Sequence, residues 1–105
     1  MERVFAVLRS RGPAWDDSKP LEEQAGWGDH ATFMDGLYDE GMLALVGPLE
    51  GTRDALLILR APTASEIAAR LASDPWTTSG LLTTKQISPW QLRLGSLGRR
   101  VEDHP

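Results

Sequence analysis

Apolar residues recur along the chain with two different periods, and the points where one period replaces the other divide it into elements. Residues 3–9, Arg-Val-Phe-Ala-Val-Leu-Arg, form a nearly continuous β-branched and apolar run that predicts a buried strand. A polar stretch from Ser10 to Glu23, holding Gly12, Pro13 and Pro20, predicts a loop around Asp16-Asp17-Ser18-Lys19. From about Leu21 to Glu40 the spacing becomes helical, with Trp27, His30, Phe33, Met34, Leu37 and Tyr38 three and four residues apart, and Gly41 supplies the stop. Residues 42–49 predict a second strand that ends at Gly47-Pro48. The turn Glu50-Gly51-Thr52 then leads into a third strand over 53–60, its hairpin partner. Thr63 or Ser65 caps a second helix whose buried stripe is Ala64, Ile67, Ala68, Leu71 and Ala72, and Asp74-Pro75-Trp76 ends it. The last strand-like region, about 82–94, is interrupted at Pro89 and resumes its alternation with Trp90, Leu92 and Leu94.

Strand, helix, strand, strand, helix, strand is the order of an α+β ferredoxin-like βαββαβ sandwich. One domain is expected over residues 1–95, with 96–105, including Arg99-Arg100 and His104, as a frayed tail. Two helices cover one face of a four-stranded sheet, yet the first three strands are apolar at both odd and even positions. Phe5 and Val7 alternate with Val4, Ala6 and Leu8; Leu43 and Leu45 with Met42, Ala44 and Val46; Leu57 and Leu59 with Leu56 and Ile58. A strand apolar on both sides expects cover on both sides, and a second copy packed sheet against sheet supplies it. A homodimer is therefore expected.

Composition narrows the chemistry. At 105 residues the chain has room for one hydrophobic core, and 41% apolar with 25% charged residues is ordinary for a globular protein. Its lack of cysteine excludes disulfides, thiolate nucleophiles and thiolate metal sites. The formal charge of -4 opposes phosphate-rich partners, so nucleic acid is not an expected ligand. No stretch approaches the ~20 apolar residues of a membrane span, and the opening Met1-Glu2-Arg3-Val4 does not read as a signal peptide. The expected location is cytoplasmic, with no membrane partner.

Among individual residues His30 stands out, because it sits in the apolar stripe of the first helix, between Trp27 and Phe33. An inward imidazole is either a satisfied core group or a proton-transfer group. Asp74 follows the second helix, where a carboxylate commonly bonds the backbone amides of a following turn. Both helices lie on one face of the sheet, so the Asp74 carboxylate is placed to approach His30 and to fix its tautomer. Trp76 and Trp90, two of four tryptophans, suit either the wall of a pocket for a flat ligand or core and dimer packing. Gly47 and Pro48 either bring backbone amides near His30 or mark a strand end. Arg9 and Arg11 are candidates for binding an anionic substrate, against the commoner role of solvated arginine. A lone internal histidine makes a poor transition-metal site, so no metal is expected, and no cofactor. Ser10, Ser79 and Ser88 lack the setting of an activated nucleophile.

His30, Leu37, Asp39-Glu40-Gly41, Leu43, Gly47-Pro48, Asp74-Pro75 with an aromatic after it, Gly80 and Pro89-Trp90 follow one another in an order that resembles the YCII-related (YciI-like) family over about residues 3–95. The resemblance implies a dimeric α+β barrel with a ferredoxin-like subunit, and a His-Asp pair in a pocket at His30 and Asp74. Relatives include a dehydrochlorinase of aromatic degradation and domains found beside sigma-factor genes. The link between the second and third strands, 49–53, is shorter here than the excursion common in similar proteins. The expected function is a cofactor-independent lyase or isomerase using His30 and Asp74 on a small, possibly aromatic, organic molecule. A non-catalytic module that binds a small ligand or supports a regulatory partner is the alternative. Heme or quinone monooxygenase chemistry has only fold analogy behind it.

Overall fold

The computed structural model describes residues 2–97. Arg99-Arg100 and His104, and with them most of the expected tail, lie outside the described residues. Four strands, β1 (Arg3–Arg11), β2 (Leu43–Pro48), β3 (Asp54–Ala61) and β4 (Leu82–Pro89), form one antiparallel sheet in the order β2-β3-β1-β4. Helices α1 (Trp27–Asp39), α2 (Ala64–Ala72) and the single-turn α3 (Pro75–Thr78) complete the α+β ferredoxin-like arrangement.

Alternation along the strands sets the core. Phe5 and Val7 of β1, Leu43 of β2 and Leu57, Leu59 and Ala61 of β3 point to the same face, where they pack on Leu37 of α1 and on Ile67 and Leu71 of α2. The buried stripe of α2 is narrower than its alanines suggested. Only Ile67 and Leu71 are buried, Ala64 is half-buried, and Ala68 and Ala72 face out, since a nine-residue helix on a sheet turns about two residues inward.

Two boundaries differ from the sequence reading. The helix expected from Leu21 is divided into a 3-10 turn at Leu21–Glu23 and α1, separated by Gly26 at φ 77°, a left-handed conformation natural to glycine. The division comes from tertiary packing, because the Trp76 indole docks there and donates Nε1–H to the Ala25 carbonyl at 2.7 Å. At the other end α1 closes as predicted: Gly41 at φ 87° bonds Tyr38 and Met42 bonds Leu37, a Schellman closure. The last strand stops at Pro89. After one further bond, Trp90 N–H to Val4 O at 2.8 Å, residues 91–97 carry no regular element, so the alternation read through Leu94 does not belong to the sheet.

Two register shifts reorient side chains. Leu43 pairs with Leu59 but Leu45 with Ile58, so an irregularity at Ala44 puts Leu45 on the opposite face from Leu43 and turns Val46 to the helix side. On β4 the shift between Gln86 and Thr84 leaves Lys85 unpaired, and brings Thr84 and Leu82 opposite Arg9 and Arg11. The face away from the helices carries half-buried Val4, Ala6, Leu8 and Leu56, with Leu45 56% exposed at its edge. Among the described residues no helix lies over it. Among the described residues no helix is long and apolar enough to cross a membrane.

Candidate functional site

Beyond the core, the same face of β1 continues with buried Arg9 and then exposed Arg11, and there the packing opens into a cavity of about 500 Å³ between the sheet and α1. Behind its wall, bonded to the lining residues Arg9, His30 and Trp76, is Asp74. This residue caps α3 by accepting the Trp76 amide at 3.0 Å, and Pro75 occupies the first helical position, where a missing N–H is harmless. The cap fixes the carboxylate, which is 0% exposed. Both of its oxygens lie 2.9 Å from Nδ1 of His30. Arg9, 1% exposed, donates Nη1–H to Asp74 Oδ2 at 2.7 Å, and its Nη2 bonds the Thr77 hydroxyl.

Burial raises the Asp74 carboxyl, but the hydrogen bonds of His30 and of the Trp76 amide, the His30 charge interaction and the Arg9 hydrogen bond together outweigh it and hold the group below the ordinary carboxylate value. Burial pulls the Arg9 guanidinium down, opposed by the hydrogen bond and charge of Asp74. Guanidinium still remains a cation. An ionised carboxylate accepts hydrogen bonds and cannot donate them, so its contact with His30 places a ring proton on Nδ1. Nε2 is then the nitrogen left for a ligand in the cavity that His30 lines.

Because the folded carboxyl lies below its unfolded value, its contribution to stability is complete above the ordinary carboxyl range, about 3.9, and is lost as pH falls through the lower folded value. Thermal melts of the wild type should therefore lose midpoint progressively on acidification below that range, and Asp74→Asn should lose less over the same interval. Parallel acid profiles would remove Asp74 from the acid response.

Aromatic rings build the walls. The His30 imidazole stacks on Trp76, centroids 3.9 Å apart and planes within 7°. Trp27 leans on both, at 5.9 Å from His30 and 5.8 Å from Trp76, and Trp15 meets Trp76 edge-on at 5.6 Å. Trp15 comes from the long loop after β1. Gln24 folds that loop over, accepting the Asp16 amide at 3.0 Å and donating to the carbonyls of Asp16 and Lys19 at 2.7 and 2.9 Å. Met34, Val46, Gly47, Pro48, Ala55 and Leu57 complete a mainly apolar lining.

The structure thus brings His30, Asp74, Trp76, Gly47, Pro48 and Arg9 to one place. Gly47 and Pro48 are wall rather than a source of amides to His30, whose imidazole hydrogen bonds run to Asp74. Trp90 is not part of this cavity. Its amide bonds Val4, five positions along β1 from Arg9 or about 17 Å at the usual strand rise, because the chain leaves the sheet at Pro89. Sequence reasoning missed Trp15, which no periodicity marks, and the hydroxyl of Thr77. Among the described residues no group of three or more His, Asp or Glu side chains comes together as a metal site.

The YCII-related domain model matches residues 6–91. The chain belongs to the YCII-related family. Within the matched segment lie His30, Asp74, Arg9 and Trp76 alike, so the buried network is contained in the YCII-related domain. No curated protein matches the chain.

Proposed function

We propose that this YCII-related protein is a cofactor-independent lyase or isomerase acting on a small cyclic or aromatic organic molecule, with His30 as the general base or acid and Asp74 orienting it. One observation carries the reading: an imidazole at the cavity wall is anchored through Nδ1 by both oxygens of a buried carboxylate, leaving Nε2 to exchange a proton with a bound molecule. The largely apolar surroundings strengthen every charge interaction made there and limit competing water. Proton abstraction beside a carbonyl, or with loss of a good leaving group, is within reach of a single such group.

The test is proton exchange in D₂O. Small cyclic carbon acids, lactones and halogenated unsaturated acids are incubated with the protein, and C–H loss or elimination is followed by NMR. Catalysed exchange or elimination that depends on His30 supports the reading. Binding of several compounds with no exchange or elimination of any would make the site a ligand-binding module without chemistry.

The same proposal includes a homodimer closed by the helix-free sheet face, supported by the apolar side chains of Val4, Ala6, Leu8, Leu56 and Leu45 on it. Leu8→Glu would place a charge at the middle of that face. Light scattering should give twice the chain mass for wild type and a single chain mass for this variant; a monomeric wild type would overturn the dimer.

A further inference from the structure

We propose that the cavity takes a flat organic acid and that Arg11 anchors its carboxylate, a refinement that rests on the small-molecule site proposed above. The charges on the cavity wall sort by their partners. Arg9 is held by Asp74, Arg53 donates to Asp17 at 2.9 Å, and Asp54 accepts from Lys85 at 3.1 Å. Arg11 makes no ion pair among the described residues. Its guanidinium lies over the Trp15 ring, 4.8 Å from the centroid. A cation–π contact occupies none of the guanidinium's N–H donors, so they stay available to a ligand. A planar fork held in this way matches a carboxylate with little further loss of freedom.

Two other features point the same way. Arg9 precedes Arg11 by two residues on β1 and shares its face, at a spacing of about 7 Å. Its Nε is the one buried side-chain nitrogen or oxygen without a hydrogen-bond partner among the described residues, so Arg9 adds a positive charge and an unused donor beside the unpaired cation. Asp35, on α1, is the other wall charge without an ion pair among the described residues. It repels an acid group at the helix side, so the carboxylate is directed to β1 while the body of the ligand lies against Trp15, Trp27 and Trp76. A single free guanidinium in a mainly apolar cavity favours one negative charge over the two of a phosphate monoester.

Benzoate and cyclohexanecarboxylate serve as probes, with benzamide as the neutral counterpart of benzoate and phenyl phosphate as the dianion. Each is titrated into the full chain while tryptophan indole and arginine N–H signals are followed by NMR. Benzoate should bind about tenfold or more tightly than benzamide. Arg11→Gln should abolish the preference, bringing benzoate down to the affinity of benzamide; Arg11→Lys should retain part of it. Equal binding of acid and amide, a preference that survives in Arg11→Gln, phenyl phosphate binding more tightly than benzoate, or no binding of either acid at millimolar concentration would each overturn the proposal. Binding is read without turnover, so failure here leaves proton transfer by His30 standing. Conversely, an intact acid preference beside absent exchange chemistry would remove the catalytic reading and keep the anchor.

Discussion

Replacing His30 with asparagine is expected to slow any proton transfer at this site by about 10²- to 10⁴-fold, the range that a positioned acid/base group contributes. Asparagine places a planar amide Nδ2 where Nδ1 stands, able to donate to Asp74 as Nδ1–H does, so the cavity and its ligand affinity should persist. What it cannot do is take up and return a proton near neutral pH. The decisive measurement is a paired one: the rate of exchange or elimination, and the binding constant of the same compound, in both proteins. A rate that falls without a matching loss of binding assigns His30 to the chemical step. An unchanged rate removes it from the mechanism.

Asp74→Ala has the largest expected effect on stability. The carboxylate is fully buried and joins β1, α1 and α3 through Arg9, His30 and the Trp76 amide. Truncating it leaves the Arg9 charge buried without its counter-ion, the situation that costs about 3–5 kcal/mol, and uncaps α3 as well. For a domain of this length the melting midpoint should drop on the order of 20 °C. Combining it with Arg9→Met, which removes the stranded charge while keeping an apolar stem, should recover a substantial part of the loss. Strict additivity of the two substitutions would show that the buried pair is not the source of the effect.

These expectations involve residues that were legible in the sequence to very different degrees. The strand and helix order was readable because strand and helix periodicities differ and because Gly41, Gly51 and Thr63 mark ends by local chemistry: a left-handed closure, a left-handed turn at φ 78°, and a cap accepting the Glu66 amide at 3.2 Å. His30 was visible as a titratable group in an apolar stripe, and Asp74 as a cap. Arg9 was visible only in part. It continues the inward alternation of Phe5 and Val7, yet an arginine at the end of an apolar strand reads equally well as solvated, and only the carboxylate arriving from 65 residues away decides the matter. Trp15 and Trp90 show the limit most clearly. The former enters the site through a loop folded by Gln24, the latter leaves it because a strand ends at Pro89, and neither event has a periodic signature.

The two register shifts separate this small sheet into regions that can change sequence independently. Before the shifts, Phe5, Val7, Leu43, Leu59 and Ile87 belong to packing that every variant must preserve. Past them, Val46, Pro48, Leu82 and Arg11 face an open space, where a new side chain has no fixed neighbour to displace. Ligand preference can therefore drift by substitution at a few wall positions with little penalty in folding. A single-residue deletion at Ala44 or Lys85 would do something quite different, exchanging in one step the side chains presented to the cavity for those presented to the opposite face.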